Sequence, residues 1–381
     1  MVILALSAQR RSAPEAQLLY RETEQSLTNR EKLAMARKMN ALSMPHPDRR
    51  PDKKNVAIYS NLNINSKINR TPCNGRKRPY IERTVFIRNN TMTNYTQDND
   101  QLYRYLFKDR AVRGEWVRLN QTFNDTLNTH HYPQAVRNLL GEMMVATSLL
   151  TATLKFNGNI TVQIQGDGPL KLALVNGDDQ QRLRALARLQ GDIQDGMSLH
   201  EMIGKGVLVI TIAPQEGERY QGVVPLDKPT ITECLEDYFI RSEQLQTQLI
   251  IRTGEYQGQP VAAGMLLQIV PDGSGSPEDF EHLATLTATI KDEEIFGLTA
   301  EELLYRLYHE EIVELFPAQA VHFYCGCSQD RSGAALLLIS DEEIEQILAE
   351  HNGSIDMQCE RCGTHYFFNK EAIEKLKQSK E

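Results

Sequence analysis

Aromatic residues are scarce, 7% of 381 with a single Trp, and no long hydrophobic run interrupts a composition that is 24% charged. The longest apolar opening, Met1 to Ala8, falls well short of the roughly 20 residues that a membrane-spanning helix requires. Arg10-Arg11 follow that run, whereas a secretory signal puts positive charge first, so neither a transmembrane helix nor an export signal is predicted. Histidine catalysis lacks its patterns: His200, His282, His309, His322 and His365 are scattered, without HExxH or a paired acid at fixed spacing. Neither a serine elbow nor a Walker-type loop is present, so the chain reads as a protein without an enzyme's machinery. Its six cysteines are too few and too unevenly placed for the dense framework of a small secreted domain; Cys73 and Cys234 stand apart, which fits a reducing cytoplasm.

What the chain does have is two cysteine pairs near its C-terminus, Cys325-Gly326-Cys327 and Cys359-Glu360-Arg361-Cys362, separated by residues 328–358. Two close pairs on a modest spacer can place four thiolates around one Zn²⁺, and four soft sulfur ligands favour zinc or an iron–sulfur cluster over hard cations. Two roles follow. As a clasp, a structural zinc folds a small C-terminal lobe. As a switch, metal-bound thiols are already thiolates at neutral pH, the form that oxidants attack, and each pair is near enough to close on itself as a local disulfide once an oxidant removes the metal.

Charge divides the chain. Residues 1–91 hold 18 of the 42 Lys and Arg but only 7 of the 50 Asp and Glu, so this segment is basic and the remainder strongly acidic. After about Met39 the segment has no sustained hydrophobic period and is rich in turn formers, as in Pro45-His46-Pro47-Asp48-Arg49-Arg50-Pro51, leaving too little apolar surface to offset its ordering entropy. A basic disordered arm for nucleic acid, an organelle transit peptide and translated sequence ahead of a start at Met92 compete. No aromatic-interleaved pattern supports specific nucleic-acid contact, and the last reading is favoured.

From about Gln97 the texture is globular. Pro133 to Leu154 is apolar on most sides and reads as a helix buried in a domain's middle. Thr153-Leu154-Lys155-Phe156 and Ile160 to Gln165 flank Asn157-Gly158-Asn159, which predicts a hairpin. Further strands are expected at Val207 to Ile212, Tyr220 to Val224, Leu249 to Thr253 and Gly264 to Val270, giving an α+β domain with a mainly antiparallel sheet. Gly166-Asp167-Gly168-Pro169 resembles a phosphate loop, but a strand-like Leu170 to Leu174 follows where phosphate cradling needs a helix, so it reads as a strand turn. Thr230 to Glu233 is a capping box leading into Ile231, Cys234, Leu235, Tyr238 and Phe239 at helical spacing, which makes Cys234 a core residue. Pro271 to Pro277 reads as a boundary. Beyond it, residues 278–316 carry 11 acidic side chains against Lys291 and Arg306, yet Thr299-Ala300-Glu301-Glu302 caps a helix with the stripe Leu303, Leu304, Leu307 and Tyr308. Like-charge repulsion weakens such a helix alone, so docking must hold it. In the cysteine lobe, Ser340-Asp341-Glu342-Glu343 caps a helix carrying Ile344, Ile347 and Leu348, and the acidic balance argues against nucleic-acid contact.

Buried helix and antiparallel sheet, acidic helical linker, then CxC and CxxC: this order resembles the heat-shock protein 33 family of bacterial redox-regulated chaperones. The likeness is carried by Asp100 to Phe107, Ala146 to Phe156, Gln163 to Pro169, Glu216 to Gly222, Leu235 to Phe239, Arg306 to Glu311 and the cysteine motifs. It covers about Met92 to Lys370, and residues 1–91 have no counterpart in it. The resemblance implies an ATP-independent holdase, inactive when reduced and loaded with one Zn²⁺, that on oxidation forms disulfides, releases zinc and binds unfolded client proteins, with a homodimer among its oxidised states. Cys325, Cys327, Cys359 and Cys362 would be ligands and switch, paired Cys325–Cys327 and Cys359–Cys362, while Leu303, Leu304, Leu307 and Tyr308 would contribute client-binding surface. The expected division is a basic extension (1–91), an α+β core (92–271), an acidic helical linker (272–320) and a zinc-binding redox-switch domain (321–381). A zinc-ribbon nucleic-acid protein and a thiol–disulfide oxidoreductase using Cys359 and Cys362 stand as alternatives.

Overall fold

The computed structural model describes residues 2–3, 20–21, 100–154, 157–270 and 276–378. Cys73, most of the basic segment and the opening residues of the linker lie outside them. The chain divides into two compact units, Met1–Ile64 and Asn65–Glu381. In the first, β1 (Val2–Ile3) pairs antiparallel with β2 (Tyr20–Arg21).

The second unit is α+β, built on two six-stranded sheets. One has β10 (Thr247–Tyr256), β11 (Gln259–Ile269), β4 (Val112–Leu119), β3 (Gln101–Phe107) and β12 (Val313–Leu315) in that order, with β13 (Gln319–Ala320) also on β3. The other has β14 (His322–Phe323), β7 (Arg182–Leu189), β6 (Leu170–Asp178), β5 (Gly158–Gly166), β8 (Gly206–Pro214) and β9 (Tyr220–Pro225). After the short helix α1 (Gln121–Leu127), helix α2 (Gln134–Thr153) packs against strands of both sheets. Its Leu139, Leu140, Met143, Met144 and Leu149 join Val117 and Leu119 of the first sheet and Ile160, Val162 and Ile164 of the second in one core. Helices α3 (Leu199–Ile203) and α4 (Ile231–Tyr238) close that core, the latter through Ile231, Cys234 and Leu235.

The hairpin expected at Asn157-Gly158 is not formed. Thr153 ends α2 and Gly158 opens β5, which pairs with β6 and β8 instead. Thr153 to Phe156 is expected as strand, but Thr147, Thr151 and Thr153 bond their hydroxyls back to the carbonyls of Met143, Thr147 and Leu150, so the helix extends through Thr153. Gly166-Asp167-Gly168 does form the β5–β6 turn. Its glycines serve a close approach: a Cβ on Gly166 would stand 2.0 Å from the Ile203 carbonyl oxygen.

β4 is buried on both faces, which is why VRGEWVRL showed no simple alternation. Val117 and Leu119 face the α2 core, while Val112 and Trp116 face the helices of the linker. Those are α5 (Pro277–Thr287), α6 (Asp292–Gly297) and α7 (Ala300–Tyr308). The linker therefore is helical and then ends in strands: β12 and β13 hydrogen-bond to β3.

Two carboxyls, Glu115 in the core and the partly buried Glu142, have a cost attached. Burial pushes Glu115 and Glu142 up to about 7, with partial relief from Arg113 and Arg104 for the first and Arg252 for the second. A folded-state value raised above the unfolded one means stability that is full below about 4.3 and is lost as pH rises toward 7. Glu142 lines a cavity of about 230 Å³ beside Asn138 and Met202. The variant Glu142→Gln should be more resistant to urea than the parent at pH 8, on the order of 2 to 3 kcal/mol, and equal to it near pH 4. Parallel pH profiles of the two midpoints would rule this out.

Candidate metal centre

The cysteine lobe has a small core of its own. Helices α8 (Gln329–Leu336), α9 (Asp341–Glu350) and α10 (Lys370–Gln378) pack Leu336, Ile344, Leu348 and Ile373 against Ile355 of β15 (Ser354–Gln358) and Phe368 of β16 (His365–Asn369). The expected Ser340 cap is present, accepting from the Glu343 amide. Six buried apolar side chains hold little fold by themselves, so a lobe this small depends on its cysteines.

The CxC motif follows β14, and the CxxC motif lies in the turn from β15 to β16. Gly326 between the first pair has φ +65°, a left-handed conformation that bends Cys325 and Cys327 toward one point. All four Sγ atoms lie within 4.8 Å of one another, so the cluster could hold a metal ion. Between the motifs, Cys325 and Cys359 are 3.6 Å apart and Cys327 and Cys362 are 3.3 Å apart. A tetrahedral Zn²⁺ with bonds of about 2.3 Å sets its sulfurs about 3.8 Å apart, so the donor set and its spacing fit zinc.

The thiols are not equivalent. Burial pushes Cys325 and Cys327 up, the latter against a hydrogen bond from the Tyr366 hydroxyl at 3.0 Å. Burial acts the same way on Cys362, but hydrogen bonds from the Thr364 side chain and backbone and from Cys327 and Cys325 outweigh it and bring that thiol down to about 7. Without metal, Cys362 is the readiest thiolate of these three.

The centre sits against the core rather than on a free arm. β14 pairs parallel with β7, and Tyr324 donates its amide to the Leu183 carbonyl at 2.9 Å. Arg188 is bidentate to Glu360 at 2.8 and 2.5 Å, and His130 meets the Glu360 carbonyl. Arg184, Arg188 and His130 carry no sequence signal that links them to a motif far along the chain, so they were not anticipated. Residues Cys234 and Cys325 to Cys362 do not come together: Cys234 is 2% exposed inside the main core, as expected.

The predicted stripe is buried elsewhere. Leu303, Leu304, Leu307 and Tyr308 are at most 3% exposed, packed on the outer face of the first sheet with Tyr105, Phe107 and Trp116. The Tyr308 ring meets Phe107 edge-on at 4.8 Å and its hydroxyl meets Thr287 at 2.6 Å. Polar clamps secure the linker: Arg110 reaches Asp279 at 2.5 Å and Glu311 at 3.1 Å, and buried Arg118 donates to the carbonyls of Phe296 and Leu298. The Ser276 amide and Arg110 hold the Asp279 carboxyl down at about 2.

An antiparallel core, a helical cover over one of its faces and a four-thiol lobe define an α+β class of protein whose candidate metal site lies outside its main core. A family model described as Hsp33 protein matches residues 100–369, and the chain belongs to that family. A 33 kDa chaperonin of Mannheimia succiniciproducens is 82% identical over 288 residues, 76% of this chain and 98% of that protein. One from Haemophilus influenzae (strain PittGG) is 82% identical over 292 residues, 76% of this chain and 100% of its own length. A crystal structure of a 33 kDa chaperonin from Thermotoga maritima has a TM-score of 0.63 over 74% of this chain and 99% of that one; at 23% identity it attests to the fold. The basic segment carries a likeness of its own, since a model described as heat shock protein 15, C-terminal region, matches residues 24–55. No described helix is long and apolar enough to cross a membrane.

Proposed function

We propose that the protein is a redox-regulated, ATP-independent holdase of the cytoplasm, inactive when reduced and active when oxidised. The observation that carries the reading is the convergence of four sulfurs from two motifs within 4.8 Å on a lobe with only a small core of its own. Cys325, Cys327, Cys359 and Cys362 hold one Zn²⁺, which when bound supplies folding free energy to the lobe and keeps its ligands as thiolates. On oxidation, the Cys359 and Cys362 thiolates give two electrons to a peroxide, which takes two protons from solvent and becomes two waters, and their sulfurs join. Two sulfur ligands then remain, too few to retain the metal, and Cys325 and Cys327 can close the second disulfide. The division into a basic extension (1–91), core (92–271), linker (272–320) and redox lobe (321–381) gives each step its element. Loss of the lobe's fold frees β14 and the linker, and the stripe of Leu303, Leu304, Leu307 and Tyr308, together with the sheet face it covers, becomes surface for unfolded clients or for a second oxidised copy.

The first test is metal content. The reduced protein should carry one zinc per chain, and Cys→Ser at any of the four positions should cut its affinity sharply, because three thiolates leave the tetrahedral set incomplete. A metal-free reduced protein, or variants with unaltered affinity, would remove the reading.

A further inference from the structure

Two core side chains connect the two cysteine motifs. Asn176 on β6 accepts Arg184 Nε at 3.2 Å and Arg361 Nη1 at 2.9 Å on the same Oδ1, while its Nδ2 donates to Thr161 Oγ1 at 2.8 Å and so fixes the amide's orientation. Arg184 on β7 donates its Nη1 to the Cys325 carbonyl. Arg361 lies between Cys359 and Cys362. A continuous path therefore runs from the CxC backbone through Arg184 and Asn176 to the CxxC turn, and its two middle members belong to the core.

Charge points the same way. Four thiolates around a divalent cation leave two net negative charges, and Arg184 lies near the sulfurs of Cys325 and Cys359 and near two further guanidiniums, Arg331 and Arg361. Arg331 donates to the Gly326 carbonyl at 2.8 Å, so the CxC loop is held from the lobe side by one arginine and from the core side by another. Such a collar favours the anionic, metal-held state over a neutral disulfide pair.

We infer that Arg184 and Asn176 are positioning residues of the four-cysteine site, fixing the CxC and CxxC loops relative to each other and tying the state of the lobe to the core. The inference rests on the zinc reading above and extends it, because it places part of the metal site outside the lobe. Reciprocity follows from linkage: if metal favours the docked lobe, the docked lobe must favour metal by the same factor.

The test follows zinc passing from the reduced, full-length protein to a chromogenic chelator, without oxidant. Arg184→Ala and Asn176→Ala should each speed the transfer about tenfold or more, the scale seen when outer partners of metal ligands are removed. Arg184→Lys should lie between, since an ammonium can reach the Cys325 carbonyl but cannot bond Asn176 at the same time. The double alanine variant should be no faster than the faster single one, because both changes break one path. Circular dichroism and thermal unfolding check that the core, where Arg184 is only partly buried, keeps its fold. Wild-type rates in both single variants, with zinc present at the start, would overturn the inference and leave the zinc reading standing. A wild-type protein that carries no zinc would overturn both.

Discussion

Fully reduced protein should leave a thermally unfolding client to aggregate, and the same protein after peroxide with mild heat should hold that client in solution without ATP. The effect is expected to be large because structural zinc contributes on the order of 10 to 16 kcal/mol in small finger domains, far more than the six-residue core of this lobe can replace. Order matters as well. The two-residue spacer between Cys359 and Cys362 accommodates a disulfide with less backbone distortion than the single Gly326 between Cys325 and Cys327. Sulfurs of the two motifs also lie within 3.6 Å of each other, so mass mapping must separate three pairings: Cys359–Cys362 first, Cys325–Cys327 first, or a bridge across motifs. Heat should add to peroxide because it loosens the contacts of β14 and Glu360 with β7 and Arg188 that hold the lobe in place. Equal client protection by the reduced, zinc-loaded protein would end the switch, and a different first disulfide would end the ordering.

The parts of this design that were readable in the sequence are those governed by local chemistry. CxC and CxxC spacing announced a four-sulfur site, and Thr299 and Ser340 announced helix starts that the structure forms with the expected side-chain caps. Cys234 and the α4 stripe were legible because a 3.6-residue period is a direct record of one buried face. Illegible were the features set by partners distant in the chain. β4 is not singled out in the sequence, because Glu115 and Arg118 are buried by contacts made with other elements, Arg118 with carbonyls of α6 and its exit. The hairpin expected around Asn157-Gly158 does not form because Thr153, read as the start of its first strand, is instead the last residue of α2 with its hydroxyl bonded back to the Leu150 carbonyl. The seating of the cysteine centre on Arg184, Asn176 and Arg188 arises from the topology that brings β14 beside β7, which no local pattern encodes.

Tyr308→Ala is the substitution expected to separate linker release from oxidation. Tyr308 is 1% exposed and sits where α7 meets β3, with Tyr105 and Phe107 against its ring and Thr287 at its hydroxyl. Removing a buried aromatic ring costs roughly 3 to 5 kcal/mol through lost burial and the cavity left behind. Most of that loss falls on the docked linker, since the sheet beneath keeps its hydrogen-bonded neighbours β11 and β4 and its second apolar face against α2. At about 1.4 kcal/mol per factor of ten, the undocked population should rise by roughly a hundredfold or more. The reduced, zinc-loaded variant should then suppress client aggregation without any oxidant, while still giving one zinc per chain by metal analysis. Tyr308→Phe gives the matching control: it keeps the ring and loses the hydroxyl that meets Thr287, a hydrogen bond worth about 1 kcal/mol, so it should lower the temperature at which protection begins without abolishing dependence on peroxide. Hydrogen exchange should show the two variants loosening residues 277–315 in the same order. If Tyr308→Ala unfolds α5 to α7 and yet protects nothing until Cys359 and Cys362 are oxidised, the surface that grips clients lies in the lobe, and the buried face of the linker is only a fastening.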